Sequence, residues 1–291
     1  MKKPAPLHWA ILAPAQTLLV LLLFLPSLYV FWLSLTRSSY GMSPVFVGLS
    51  NYLTVLSDPY FWTATLNTAI VVNAVVFGEF LLALGVAMLF AGWVPWRRLM
   101  VALVLAPYAI SEVVAVVIWK FMMEPYVGPV TLALRAVGLP TLDWAVEPAH
   151  GLAMVILLSI WHHLPFTFII LYTALMGIPR DLYEAAQVDG AGAWRKFLHI
   201  TLPLLVPAIL VALVFRYIFA FRIFSEVWLL TGGGPARTTE VLAVYLYRQA
   251  FRYADFGAAA ATGWLMLIAS LLMGSWYIYQ MYKRMFAHAS S

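Results

Sequence analysis

Apolar residues in this chain fall in long unbroken stretches and do not alternate with polar ones. Six such stretches, at about 10–35, 66–91, 99–120, 151–176, 204–227 and 258–281, stand out. Each reaches the roughly 20 residues that a helix needs to cross a hydrocarbon core ~30 Å thick. Continuous runs of this length predict helices, because a strand with one face in lipid must alternate. The expected fold is therefore all-α and integral to a membrane, with six transmembrane helices. The first run follows Lys2 and Lys3, as in a secretory signal. It continues from Trp9 to Leu35 with no small-x-small cleavage site behind it, far beyond the roughly 7–15 apolar residues of a signal peptide, and is expected to remain as a span. Gly232, Gly233, Gly234 and Pro235 mark a turn after the fifth run. No internal repeat or low-complexity tract interrupts the pattern.

Composition agrees. Charged residues make up 10% of the 291 residues and apolar ones 64%, whereas a water-soluble domain carries about 25% charged residues. The chain has no cysteine, which excludes disulfide frameworks, thiolate metal sites and cysteine nucleophiles. The net charge of +5 is not gathered into a nucleic-acid patch, and no nucleic-acid partner is expected. Most of its cations lie in the connections. Lys2, Lys3, Arg97, Arg98, Arg180, Arg195, Lys196, Lys283 and Arg284 occupy the termini and the loops at 92–98 and 177–203. Arg37, Lys120, Arg135, Arg237, Arg248 and Arg252 occupy the alternate loops. The first set is larger and lies close to the span ends, so the positive-inside rule predicts both termini in the cytoplasm. Trp93 and Trp96 at the inner face and Trp228 at the outer read as interface aromatics.

The stretch 180–207, RDLYEAAQVDGAGAWRKFLHITLPLLVP, differs from its apolar surroundings. Asp181 and Glu184 are spaced for a capping box at the start of a short helix. Gly190 and Gly192 allow a bend. A second helical piece is expected to carry Trp194, Phe197, Leu198 and Leu202 on one face and to end at Pro203. Ala185, Ala186 and Ala191 have no evident core to enter, so a docking surface is expected there.

These residues carry a resemblance. Glu184-Ala185-Ala186, Asp189-Gly190-Ala191, Phe197, Ile200, Leu202-Pro203 and Pro207 resemble the EAA-loop signature of ABC importer permeases, in the form found in the binding-protein-dependent carbohydrate branch. The similarity extends over roughly 62–282. The LTGGGP segment, with Tyr245, Tyr247 and Ala250-Phe251, resembles the first permease of a heterodimeric pair. The resemblance implies a type I ABC importer permease fold. Residues 1–61 would form an N-terminal helix and outer loop, 62–282 a five-helix core containing the EAA loop 180–207, and 283–291 a cytoplasmic tail. It implies a second permease subunit, two cytoplasmic ATPase subunits, an extracytoplasmic solute-binding protein and a sugar substrate, a mono- or disaccharide, at the bacterial plasma membrane. Glu184, Ala185, Ala186, Asp189, Gly190 and Ala191 would contact the ATPase. No GxxxxGK[ST] phosphate loop is present in the chain. ATP and Mg are accordingly expected on the partner ATPase subunits, with no cofactor in this chain and no enzymatic activity of its own. HExxH and GxSxG are absent as well. An ATP-independent secondary transporter or channel is the alternative reading, and it leaves the EAA loop without a purpose.

Ionisable residues inside the runs point to a site. Glu79, Glu112, Arg216, His162 and His163 lie about 11–13 residues into their spans, or roughly 16–20 Å at 1.5 Å per residue, near a bilayer midplane. Such groups usually face a cavity or one another, and for Glu79 and Glu112 pairing with a cation competes with a solute contact. By analogy with the family, Ser159, His162, His163 and Phe166 on the fourth span, and Arg216, Ala220 and Ile223 on the fifth, would line the substrate path. The family's small neutral polar groups are replaced here by His162, Arg216 and Ile223, which leaves neutral, phosphorylated and acidic solutes open. Adjacent helical residues point about 100° apart, so His162 and His163 are not expected to face one cavity together. Arg222 and Glu226, four apart, are expected to form an ion pair at the outer end of the fifth span.

Overall fold

The computed structural model of the chain describes residues 6–92 and 94–287. Lys2, Lys3, Trp93 and the tail residues 288–291 lie outside them. Among the described residues, five helical segments are long and apolar enough to cross a bilayer: Leu12–Ser34, Pro59–Ala91, Pro148–Met176, Ala193–Ala220 and Phe256–Trp276. A sixth span exists only as a pair of helices, Arg97–Ala109 and Glu112–Met122, bent by 99° where they meet. The continuous helix expected over 99–120 is therefore broken. Pro107 sits in a 3₁₀ turn at Ala106–Ala109; Ile110 and Ser111 then run extended at ψ 138° and 137°, and the helix restarts at Glu112. Proline removes a backbone donor and crowds the preceding turn. Ser-Glu is a helix-start pair, with the carboxylate in the first turn where the helix dipole favours it.

The fifth span ends earlier than expected. Its α-helix stops at Ala220, and after four non-helical residues a separate helix, Ser225–Leu230, begins with Glu226 in its first turn. A two-residue antiparallel pair, Thr36–Arg37 with Val45–Phe46, is the one departure from helix and loop among the described residues.

The chain divides into two compact units. The first comprises Met1–Trp62 and Tyr245–Ile268. Along Leu12–Ser34 the side chains of Leu18, Leu22, Leu23 and Phe24 are exposed, as befits a helix whose solvent is lipid. Its C-terminal carbonyls would otherwise lack partners; the buried Asn51 amide donates to the carbonyls of Ser34 (2.8 Å) and Thr36 (2.9 Å). Gly257 packs at the same place, where a Cβ would meet the Thr36 carbonyl and the Asn51 side chain. Tyr245 donates to Asp58 at 2.8 Å.

The second unit, Thr63–Val244 with Ala269–Ser291, holds the core that positions the site. One cluster joins Val72, Val76 and Ala83 with Phe168, Leu171, Leu205 and Ile209; another joins Val71 and Val75 with Met154, Leu158 and Val227. Gly78 and Ile160 lie so close that a Cβ on Gly78 would fall 2.7 Å from the isoleucine Cδ1. Absence of a side chain there lets the two helices approach. Asn67 donates to the carbonyls of Thr238 (2.8 Å) and Glu240 (2.9 Å), tying the glycine-rich turn to the second span.

Candidate functional site

Two regions of the second unit stand apart from simple helix packing. The first is the connection that follows the fourth span. A helix forms over Arg180–Val188 with Pro179 as its N-cap and no side-chain capping bond. The capping box expected of Asp181 and Glu184 is not made. Proline's fixed φ already suits the entry to a helix, and Asp181 in the first turn acts only through the dipole. The helix ends in a Schellman motif. The Gly190 N–H donates to Gln187 O at 3.1 Å and the Ala191 N–H to Ala186 O at 2.8 Å, with Gly190 at φ +74°. That left-handed conformation suits glycine.

The second helical piece does not end at Pro203. It passes through a π-turn at Phe197–Thr201 directly into the helix Leu202–Ala220, with Pro203 in the first α-helical turn, where a missing N–H is tolerated. Phe197 and Leu202 pack on the core, whereas Trp194 is 70% exposed and Leu198 is exposed too. The four residues therefore do not share one buried face. Glu184, Ala185, Asp189 and Gly190 are exposed, Ala186 and Ala191 half-buried, and Val188 is 89% exposed. The elbow is fastened by Tyr183, whose hydroxyl lies 2.9 Å from Thr201 Oγ1. It thus presents a mixed apolar and acidic surface that nothing in the chain covers, among the described residues.

The second region is a cavity of about 420 Å³, within the range of small-molecule sites. It lies where the two broken helices meet the fourth and fifth spans, and discontinuous helices are a recurrent way to expose polar groups inside a membrane. Ser159, His162, His163, Arg216, Ala220, Ile223 and Glu112 all line it. Phe166 does not; it stands behind, its ring 6.4 Å from Tyr108 and 6.0 Å from Phe219, both of which do. Glu79 is fully buried beneath the cavity, 2.7 Å from Arg216 Nε, with Thr167 donating to its other oxygen. Its role is the pairing alternative: the carboxylate ties three helices and neutralises Arg216.

Three expectations are corrected here. His162 and His163 both line the cavity, rings edge-to-face at 4.9 Å; side-chain torsions overcome the 100° between their Cα–Cβ directions. Glu112 opens a new helix after the break, so counting residues along a straight helix does not give its depth. Arg222 and Glu226 form no ion pair among the described residues, because the helix ends between them. Glu226 is instead 2% exposed and accepts from Ser159 Oγ at 3.4 Å on one oxygen. Tyr108, Phe219, Arg222 and Glu226 line the cavity unforeseen. The Ser-Glu pairs at 111–112 and 225–226 were the available clue, since each marks a helix start inside an apolar run.

Comparison with known proteins matches residues 97–287 to the model of the family described as binding-protein-dependent transport system inner membrane component. The chain is 35% identical over 275 residues to the sulfoquinovosyl glycerol transport system permease protein of Agrobacterium fabrum, covering 92% of this chain and 88% of that one. It is 32% identical over 270 residues to the trehalose/maltose transport system permease protein of Thermococcus litoralis, covering 92% and 91%. It is 31% identical over 268 residues to the sn-glycerol-3-phosphate transport system permease protein of Yersinia pseudotuberculosis, covering 90% of each. A chain in the crystal structure of a bacterial ABC transporter involved in the import of the acidic polysaccharide alginate superposes with a TM-score of 0.82 at 25% identity, covering 95% of both chains.

Proposed function

This chain belongs to the family of binding-protein-dependent transport system inner membrane components, and from that premise we propose that it forms half of the translocation path of an ATP-driven importer for a mono- or disaccharide. As an ABC importer permease it is a multi-pass inner-membrane protein with a transport role. Sugar as the cargo draws support from relatives named for trehalose/maltose and sulfoquinovosyl glycerol transport. The observation that carries the mechanism is the uncovered elbow at 180–191, rigidly capped at Gly190 and fastened to the fifth span through Tyr183 and Thr201.

In this reading the elbow, with Glu184, Ala185, Ala186, Asp189, Gly190 and Ala191, lies in the cytoplasm beside the termini and seats on one of two ATPase subunits, which hold ATP and Mg. Closure of the ATPase pair moves the elbow as a rigid lever. The π-turned start of the fifth span passes that motion to the helices around the cavity, a shift between two arrangements of packed elements. A second permease supplies the other half of the path, and a separate solute-binding protein delivers the sugar. Ser159, His162, His163 and Arg216 line the path, Ala220 and Ile223 set its width, and Phe166 backs the aromatic wall of Tyr108 and Phe219. The test is cysteine cross-linking in a chain that has none of its own. Ala185→Cys should cross-link to an ATPase subunit in intact membranes, with a yield that changes on ATP binding. Absence of any ATPase adduct from Ala185, Val188 and Gln187 alike overturns the coupling reading.

A further inference from the structure

We propose that Glu226 and Glu112 form a carboxylate filter that makes this cavity favour cationic and neutral solutes over anionic ones; the inference rests on the cavity being the solute path. Arg216 gives the cavity the look of an anion site. Its charge is already committed, because Glu79 meets its Nε at 2.7 Å with no exposed surface of its own. The remaining charged groups of the lining are Glu112, Glu226 and Arg222, with Tyr108, His162 and His163 beside them. A pair of acidic groups thus faces one uncommitted guanidinium, and Arg222 is an exposed residue, its charge open to screening.

Glu226 is the decisive group. Its residue is buried on the helix Ser225–Leu230, which packs against Glu112–Met122. One oxygen has the long Ser159 contact, no donor of the chain reaches Oε2, and the Glu112 carboxyl group stands beside it; two acids this close away from water carry about one negative charge between them. A buried acceptor left unpaired is costly, and a donor entering the cavity removes that cost. Sugar hydroxyls and ammonium groups donate; carboxylate, sulfonate and fully ionised phosphate groups cannot, and they add like charge within a low-dielectric space. Neighbouring His162 also leaves Nδ1 unpaired, so the polar side of the cavity is built for partners that the chain itself does not supply.

The absence of cysteine makes the filter measurable without knowing the sugar. Ser225→Cys, in the cavity lining, is placed in the assembled transporter and reacted with cationic and anionic methanethiosulfonates, with adducts on this chain counted by mass spectrometry. The cationic reagent should react at least tenfold faster than the anionic one, relative to their rates with a free thiol. Glu226→Gln combined with Glu112→Gln should reduce that ratio severalfold, because it removes the charge that the pair shares. Where Ser225→Cys fails to assemble, Ile223→Cys provides the same reading. Equal rates, or a ratio unmoved by the double glutamine variant, overturn the filter alone. No reaction with either reagent in any nucleotide state overturns the solute path, and the filter with it.

Discussion

Gly190 offers the sharpest test of the lever. It holds φ +74°, and a Cβ built there meets nothing within 4 Å, so a substitution costs backbone strain and no steric overlap. An L-residue in that conformation costs about 1–2 kcal/mol, less for asparagine, whose side chain bonds locally. A β-branched residue is the least tolerated. If the ATPase grips only the capped form of the elbow, this strain shifts the elbow away from it by roughly 5–30-fold. Substrate-stimulated ATPase activity and uptake in the assembled transporter should therefore fall in the order Gly190→Asn, Gly190→Ala, Gly190→Val, the last reaching about thirtyfold. Gly192, at φ −69° with open space around it, is the control. Gly192→Ser places a favoured N-cap residue there and should leave both activities near the parent value. Membrane insertion, read by immunoblot, should be equal in all. Uptake by Gly190→Val equal to that of Gly192→Ser refutes the reasoning, since the strain would then have no mechanical consequence.

Two further outcomes follow from packing. Arg216→Ala leaves Glu79 buried without its cation, which should destabilise the purified complex by about 3–5 kcal/mol, whereas Glu79→Leu with Arg216→Met should recover most of the melting temperature; equal melting of the single and double variants argues against the pair. Gly257→Ala pushes a methyl group into the Thr36 carbonyl and the Asn51 amide. Overpacking of this kind costs about 1–3 kcal/mol and should lower folded yield, measured by fluorescence-detected gel filtration, while Gly274→Ala, where space is open, should not.

Much of this protein is written in one dimension. The length of the apolar runs dictates helices, because lipid offers no partner to an exposed backbone group. The elbow announces itself as a polar, alanine-rich insert between two such runs, and Gly190 as its hinge follows from local backbone chemistry. Most of the cavity wall on the fourth and fifth spans was also legible, since ionisable groups deep in apolar runs face cavities or one another. Only the tertiary structure decided the rest. Whether Arg216 serves a solute or Glu79 depends on which residue of another helix lies opposite it, and hydropathy does not encode that. The bend at Ile110–Ser111 and the break after Ala220 bring Glu112 and Glu226, 114 positions apart in the chain, to one wall. Each break exchanges helical hydrogen bonds for contacts made elsewhere, and that balance is struck between segments and not within either one.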